Sequence, residues 1–132
     1  MSRILIIEDE EDLRTTLADA IEAAGYEVKA VETAEKGLAA HISQTFDLII
    51  LDIMTHSLHG AAFMQRLSML PPNKQQCKVI VLTALDNQIT KDKMAAHPIS
   101  EFLVKSETPI STLLEKIKLH LSYPEFEDQT TN

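Results

Sequence analysis

Five short apolar runs recur along the chain, separated by longer stretches in which apolar residues stand three or four positions apart. The runs occupy residues 4–7, 28–31, 48–51, 79–82 and 102–104, and they largely lack an alternation of apolar and polar residues. Such runs are typical of strands that are covered on both faces, as in a parallel sheet. The pattern therefore predicts five buried parallel strands with helices between them.

The intervening stretches predict five helices. Their apolar anchors, in chain order, are Leu13, Leu17, Ile21 and Ala24, then Ala34, Leu38 and Ile42, then Phe63, Leu67 and Leu70, then Ile89 and Met94, and finally Ile110, Leu113, Leu114, Ile117 and Leu121. We expect Gly25 to cap the end of the first helix and Thr33 and Asp12 to act as N-caps. Pro71 should stop the third helix, and Pro109 suits the first turn of the last. The fourth helix, around residues 86–96, has the fewest anchors and is expected to be weak.

Strand and helix alternating five times indicate an α/β fold. We predict a flavodoxin-like, doubly wound, five-stranded parallel sheet in the order 2-1-3-4-5 with five helices. Residues 1–121 are assigned to this one domain, since 132 residues leave little room for a second. Residues 122–132 carry three acids, no base and no clear periodicity, and are predicted to form an acidic polar tail. With no domain after it, this tail favours a stand-alone protein.

Polar side chains follow four of the five apolar runs. Glu8 and Asp9 follow the first, Asp52 the third, Thr83 the fourth and Lys105 the fifth. In open parallel sheets, ligands bind beyond the carboxyl ends of the strands, at the point where the strand order reverses. In the predicted order, the strands that end in Glu8-Asp9 and in Asp52 are neighbours. The sequence therefore brings three carboxylates to one crevice.

Three carboxylates in one crevice repel one another unless a cation lies among them. A small, partly hydrated site with oxygen ligands suits Mg²⁺, which keeps several waters and then accepts a phosphate oxygen. Lys105 and Thr83 would contact further oxygens of a transferred phosphoryl group, and Asp52 would be the nucleophile that forms an acyl phosphate.

Composition and charge argue against several other classes of protein function. Twenty acids against twelve bases give a net charge of −8, which disfavours direct binding to nucleic acid or anionic lipid. No apolar run approaches the roughly 20 residues of a membrane span, and no signal peptide is recognisable. The single cysteine, Cys77, cannot form an internal disulfide and is expected to be an inert thiol. These features predict a cytoplasmic protein.

Four segments, at residues 4–14, 47–54, 79–84 and 102–105, together resemble the bacterial response-regulator receiver domain of two-component signalling. The resemblance covers roughly nine-tenths of the chain. It implies Mg²⁺ binding by Glu8, Asp9, Asp52 and the backbone carbonyl of Met54. It also implies that Asp52 accepts a phosphoryl group from a histidine kinase or a histidine phosphotransfer protein. Signalling to a downstream protein partner would then pass through Thr83 and Phe102.

Three positions depart from the usual receiver pattern. Glu8 replaces the first aspartate of the acidic pair, and residues 55–60 read Thr-His-Ser-Leu-His-Gly where the family usually has Met-Pro-Gly-Met-Asp-Gly. Lys105 is followed by Ser106 instead of a proline in a cis bond. Because a trans bond is far cheaper before serine, we expect the loop that carries Lys105 to be less tightly fixed.

Three alternative functions share features with this sequence. A haloacid-dehalogenase-type phosphohydrolase needs a second aspartate where this chain has Met54, and it usually carries a cap domain. A flavodoxin-like electron carrier needs a hydroxyl- and glycine-rich phosphate loop where this chain has acids. A degenerate receiver that acts as a phosphorylation-independent interaction module stays open. The sequence therefore favours a phosphoacceptor signalling domain, not an enzyme in the usual sense, that assists its own phosphoryl transfer and dephosphorylation.

Overall fold

A computed structural model describes residues 1–53, 57–75, 77–84, 92 and 98–130, of which residues 53, 57–60 and 123–130 are described by their backbone alone. The strands in this part of the chain are β1 (Arg3–Ile7), β2 (Glu27–Val31), β3 (Leu48–Ile53), β4 (Lys78–Thr83) and β5 (Glu101–Val104). The helices are α1 (Glu11–Ala23), α2 (Ala34–Ser43), α3 (Ser57–Ser68), the short α4 (Pro72–Gln75) and α5 (Ile110–Thr130), with a 3₁₀ turn at Lys105–Glu107.

The five strands form one parallel sheet in the order β2-β1-β3-β4-β5, which confirms the predicted fold. Ile7 is level with Leu51 in the β1–β3 pairing, and Asp52 is level with Leu82 in the β3–β4 pairing. The register therefore aligns the carboxyl ends of β1, β3 and β4, and the residues that follow these strands emerge at one edge of the sheet.

The sheet separates two apolar clusters, one on each face. Leu5, Ile49 and Val81 pack with Phe63 and Met64 of α3 on one face. On the other face, Ile6, Ile50 and Ile80 pack with residues of α1 and α5, among them Ile21 and Ile117. Alternate residues of the central strands point to opposite clusters, so both faces are buried, as the continuous apolar runs predicted.

Two of the predicted caps are confirmed. Gly25 follows α1 with φ of +104°, the left-handed region that favours glycine, and the Thr33 side chain accepts a hydrogen bond from the Lys36 amide at 3.1 Å. The prediction for Asp12 was wrong, because α1 begins two residues earlier than expected. Its N-cap is Glu10, and Asp12 lies in the first turn, where a negative charge favours the helix dipole.

Two further elements add detail to the sequence-based expectation. Pro72 begins the four-residue α4, and three residues separate it from the end of α3 at Ser68. The backbone of α5 continues to Thr130, through most of the residues predicted to form the acidic polar tail. Backbone hydrogen bonds can extend a helix beyond the end of its apolar stripe. The predicted weak helix at residues 86–96 lies outside the described residues, apart from Asp92.

Candidate functional site

The site begins with two buried carboxylates at the ends of neighbouring strands. Glu8 directly follows β1, and Asp52 is the fifth residue of β3, one position beyond the partner of Ile7. Glu8 is 1% exposed and the side chain of Asp52 is fully buried. The pairing of two central strands thus brings together Glu8 and Asp52, two of the three carboxylates that the sequence predicted at this edge.

Lys105 brings a positive charge between these two carboxylates. Its Nζ lies 3.3 Å from Oε1 of Glu8 and forms an ion pair with Oδ2 of Asp52. The side chain of Lys105 is 20% exposed, so the pair is shielded from most of the solvent. One ammonium facing two carboxylates leaves the cluster with net negative charge whenever both acids are ionised.

The buried environment of Asp52 disfavours the charged form of its carboxyl group. Burial raises the pKa of the Asp52 carboxyl above its ordinary value, and the hydrogen bond and charge of Lys105 lower that pKa only in part. Among the described residues, Oδ1 of Asp52 is buried without a hydrogen-bond partner. A buried carboxylate oxygen without a partner is costly, and its lone pairs are available to a cation or a reacting atom.

Backbone hydrogen bonds hold Glu8 in place. Its Oε2 accepts a hydrogen bond from the Glu10 amide at 3.0 Å, and its own amide donates to the Val31 carbonyl at 3.0 Å. Arg14 of α1 donates from one guanidinium nitrogen to the carbonyls of Glu8 (3.0 Å) and Asp9 (3.4 Å). Arg14 therefore ties the first turn of α1 to the acidic loop.

Arg14 is the last residue of the receiver-like segment 4–14, and the sequence alone predicted no role for it. The available signal was a base five residues after Asp9, within one turn of a predicted helix start. A side chain of that length and position can reach back to the preceding loop.

Asp9 and Met54 are the other two predicted metal ligands. The side chain of Asp9 is exposed, and the described residues include no group of three His, Cys, Asp or Glu side chains arranged to hold a metal ion. Met54, whose carbonyl the family resemblance implies as a ligand, lies outside the described residues. The structure thus brings together Glu8, Asp52 and Lys105 and leaves Asp9 on the solvent side of them.

Thr83 and Phe102 occupy adjacent strands. Thr83 ends β4, is 5% exposed and is level with Val104 of β5, and Phe102 is level with Val81. Alternation along each strand sends both side chains to the same face of the sheet, where Phe102 packs against the cluster that contains Val81. Thr83 therefore borders the carboxylate edge, whereas Phe102 lies in the partly buried layer next to it.

The segment after Lys105 forms a closed turn. The described backbone contains no cis peptide bond, and residues Lys105–Glu107 form a 3₁₀ turn before α5. The Thr108 hydroxyl donates a hydrogen bond to the Val104 carbonyl at 2.7 Å, and the Thr108 amide donates one to the Lys105 carbonyl at 3.2 Å. A trans-bonded turn thus stands where the family usually has a cis-proline.

Two groups outside this edge fit a structural role. Burial raises the pKa of the Cys77 thiol to about 11, which keeps it protonated and unreactive at neutral pH. His41 is fully buried. Its Nδ1 accepts from the Phe46 amide at 3.2 Å and its Nε2 faces the Lys74 carbonyl at 2.6 Å, so the ring links α2 to α4.

Comparison with known protein families matches residues 4–118 to the response regulator receiver domain. The chain therefore belongs to the receiver domain family, the response-regulator module of two-component systems.

Individual relatives agree with this assignment. The chain is 30% identical over 123 residues to the response regulator ArlR of Staphylococcus saprophyticus, covering 92% of this chain and 53% of that protein. It is 34% identical over 105 residues to the transcriptional regulatory protein PcoR of Escherichia coli, covering 80% of this chain and 45% of that protein. The chain thus spans about half the length of these curated relatives.

Among solved structures, a CheY-like response regulator receiver domain protein from Methanospirillum hungatei superposes with a TM-score of 0.84. It is 28% identical, and the match covers 96% of this chain and 98% of that one. None of the helices in the described part of the chain combines the length and apolarity needed to cross a bilayer.

Proposed function

We propose that this receiver domain accepts a phosphoryl group on Asp52 from a phosphohistidine of a sensor kinase or a phosphotransfer protein. The observation that carries the proposal is the contact of Lys105 with both Asp52 and Glu8 at the carboxyl edge of the sheet. Phosphoryl transfer requires positioning of the acceptor and neutralisation of charge on the transferred group, and an ammonium beside a buried carboxylate provides both.

In the proposed reaction, a carboxylate oxygen of Asp52 forms a bond to phosphorus while the bond from phosphorus to the donor nitrogen breaks. The electron pair of that bond stays on the imidazole nitrogen, which takes a proton from solvent, and Asp52 becomes an acyl phosphate. Lys105 then faces the oxygens of the phosphoryl group. With acetyl phosphate as a small donor, acetate is the leaving group.

The residues at this edge fit a magnesium ion, and receiver domains generally bind Mg²⁺. The donor set consists of oxygens alone, and Oδ1 of Asp52 is buried without a partner among the described residues. We propose that Glu8, Asp9, Asp52 and the carbonyl of Met54 hold the ion. When bound, Mg²⁺ supplies charge neutralisation for the acceptor and for the incoming phosphoryl oxygens.

We further propose that phosphorylation is read out through Thr83 and Phe102. Phosphorylation adds negative charge and acceptor oxygens, and the hydroxyl of Thr83 can donate a hydrogen bond to them. A shift of Thr83 towards the phosphoryl group changes the packing space on the face that it shares with Phe102. A protein partner would then recognise the repacked surface around β5, in a cytoplasmic signalling pathway.

Intact-mass analysis after incubation with acetyl phosphate and Mg²⁺ tests the assignment. Wild type should gain phosphate only when Mg²⁺ is present, and Asp52→Asn should gain none. Asp47→Asn is the matched control, because Asp47 immediately precedes β3 at the opposite edge of the sheet and should leave incorporation unchanged.

Equal incorporation in wild type and Asp52→Asn would remove Asp52 as the acceptor. A wild type that takes up no phosphate with Mg²⁺ would favour the alternative, a phosphorylation-independent protein-interaction module.

A further inference from the structure

The turn after β5 contains an unusual arrangement around Lys105. Thr108 makes two hydrogen bonds, from its hydroxyl to the Val104 carbonyl at 2.7 Å and from its amide to the Lys105 carbonyl at 3.2 Å. These two carbonyls belong to the peptide groups immediately before and after the α-carbon of Lys105. Because each peptide group is planar, holding both planes fixes the two backbone dihedrals of Lys105.

The local sequence explains why Thr108 can do this. Pro109 keeps the residue before it out of the helical conformation, and Thr108 accordingly has φ −126° and ψ 84°. The 3₁₀ turn must therefore end at Thr108, before α5 begins at Ile110. An extended threonine at this point directs its amide and its hydroxyl back to the two carbonyls.

We infer that Thr108 is a positioning residue for Lys105, because its two hydrogen bonds constrain the backbone on both sides of that residue. This inference rests on the proposed function, in which the ammonium of Lys105 meets the transferred phosphoryl group. The ion pairs with Asp52 and Glu8 fix the far end of the flexible four-carbon lysine side chain, and the Lys105 backbone fixes its origin. The two hydrogen bonds described for Thr108 therefore connect it to the site through the backbone of Lys105.

Three variants separate this role from general stability. Thr108→Val keeps the branched shape that suits an extended residue and removes only the hydroxyl, and Thr108→Ser should restore the bond. Thr16→Val is the matched control, because the exposed Thr16 makes the same kind of bond within α1, from its hydroxyl to the Asp12 carbonyl at 2.8 Å.

The first measurement uses the metal-free, unphosphorylated protein. The side-chain ¹⁵Nζ resonance of Lys105, assigned with Lys105→Met, reports the two carboxylates around the ammonium. Thr108→Val should move this resonance towards its position in Asp52→Asn, where one carboxylate is missing. Thr108→Ser and Thr16→Val should leave it in place. An unchanged resonance in Thr108→Val would overturn the inference.

The second measurement is the rate of Asp52 phosphorylation by acetyl phosphate at saturating Mg²⁺. Thr108→Val should lower this rate by roughly 10-fold, less than the ~10²-fold that a 1 Å misplacement can cost. The half-saturating Mg²⁺ concentration should be unchanged, and Thr108→Val should have no further effect in a Lys105→Met background. Equal slowing in both backgrounds would show that Thr108 does not act through Lys105. If wild type takes up no phosphate, the proposed function fails and the resonance alone decides the inference.

Discussion

The ion-paired cluster at the sheet edge predicts how the fold responds when Lys105 loses its charge. Lys105→Met keeps an unbranched side chain of similar length and removes the ammonium that contacts Oδ2 of Asp52 and Oε1 of Glu8. Two buried carboxylates then lose the cation that faces both of them.

The size of the effect follows from burial. Removing one partner of a buried ion pair typically costs about 3–5 kcal/mol. Two features reduce that figure here, because the Lys105 side chain is 20% exposed and Asp52 can take up a proton to escape its charge. We therefore expect the free energy of unfolding at neutral pH to fall by about 2 kcal/mol, or roughly 30-fold in the ratio of folded to unfolded protein.

The loss should depend on pH in a defined direction. Burial already raises the pKa of Asp52, and removal of Lys105 takes away the interactions that lower it. A carboxyl whose pKa is higher in the folded state binds its proton more tightly there, so ionising it costs stability. This loss of stability is fully present at a pH above the pKa of Asp52 in the folded protein. It is absent at a pH below the pKa of an aspartate in the unfolded chain, about 3.9. The deficit of Lys105→Met relative to wild type should therefore be largest at neutral pH and shrink on acidification.

Urea denaturation at a series of pH values between neutral and about 4, without Mg²⁺, measures this difference. Lys36→Met is the matched control, because Lys36 of α2 forms an exposed ion pair with Glu32, which lies just before that helix, and exposed pairs contribute little. A Lys105→Met deficit that is constant with pH, or no larger than that of Lys36→Met, would refute the role assigned to the buried pair.

Two other substitutions have defined outcomes. Gly37→Ala should lower the free energy of unfolding, measured by urea denaturation, by about 1 kcal/mol. The new Cβ would lie 2.7 Å from Cγ1 of Ile7, and overpacking of this kind costs about 1–3 kcal/mol. The higher helix propensity of alanine offsets only about 1 kcal/mol of that cost. An unchanged or higher stability would contradict that packing. Thr83→Ala should leave phosphorylation of Asp52 largely intact but weaken the amide chemical-shift changes of β5 when a beryllofluoride phosphate mimic binds. Identical changes in wild type and Thr83→Ala would count against the proposed coupling.

The sequence by itself predicted the strands from their apolar runs, the strand order from the alternation of strand and helix, and two helix caps from Gly25 and Thr33. Continuous apolar runs identify strands buried on both faces, and alternation of strand and helix leaves few ways to connect them. In a parallel sheet, the carboxyl ends of the strands lie at the same edge. Glu8, Asp52 and Lys105 each follow a different apolar run, so the sequence alone predicts that they lie at one edge.

Tertiary structure decided how the loops at that edge are arranged. Asp9 faces solvent although its neighbour Glu8 is buried, because the direction of a loop side chain depends on hydrogen bonds to distant parts of the chain. Arg14 and Thr108 also depend on the folded backbone, although their partners are near in sequence. Those partners are backbone carbonyls, which every residue type has, so the residue types of the partners do not identify these hydrogen bonds. Strand ends follow from local periodicity and topology, whereas the hydrogen bonds that orient a site become visible only once the backbone has folded around them.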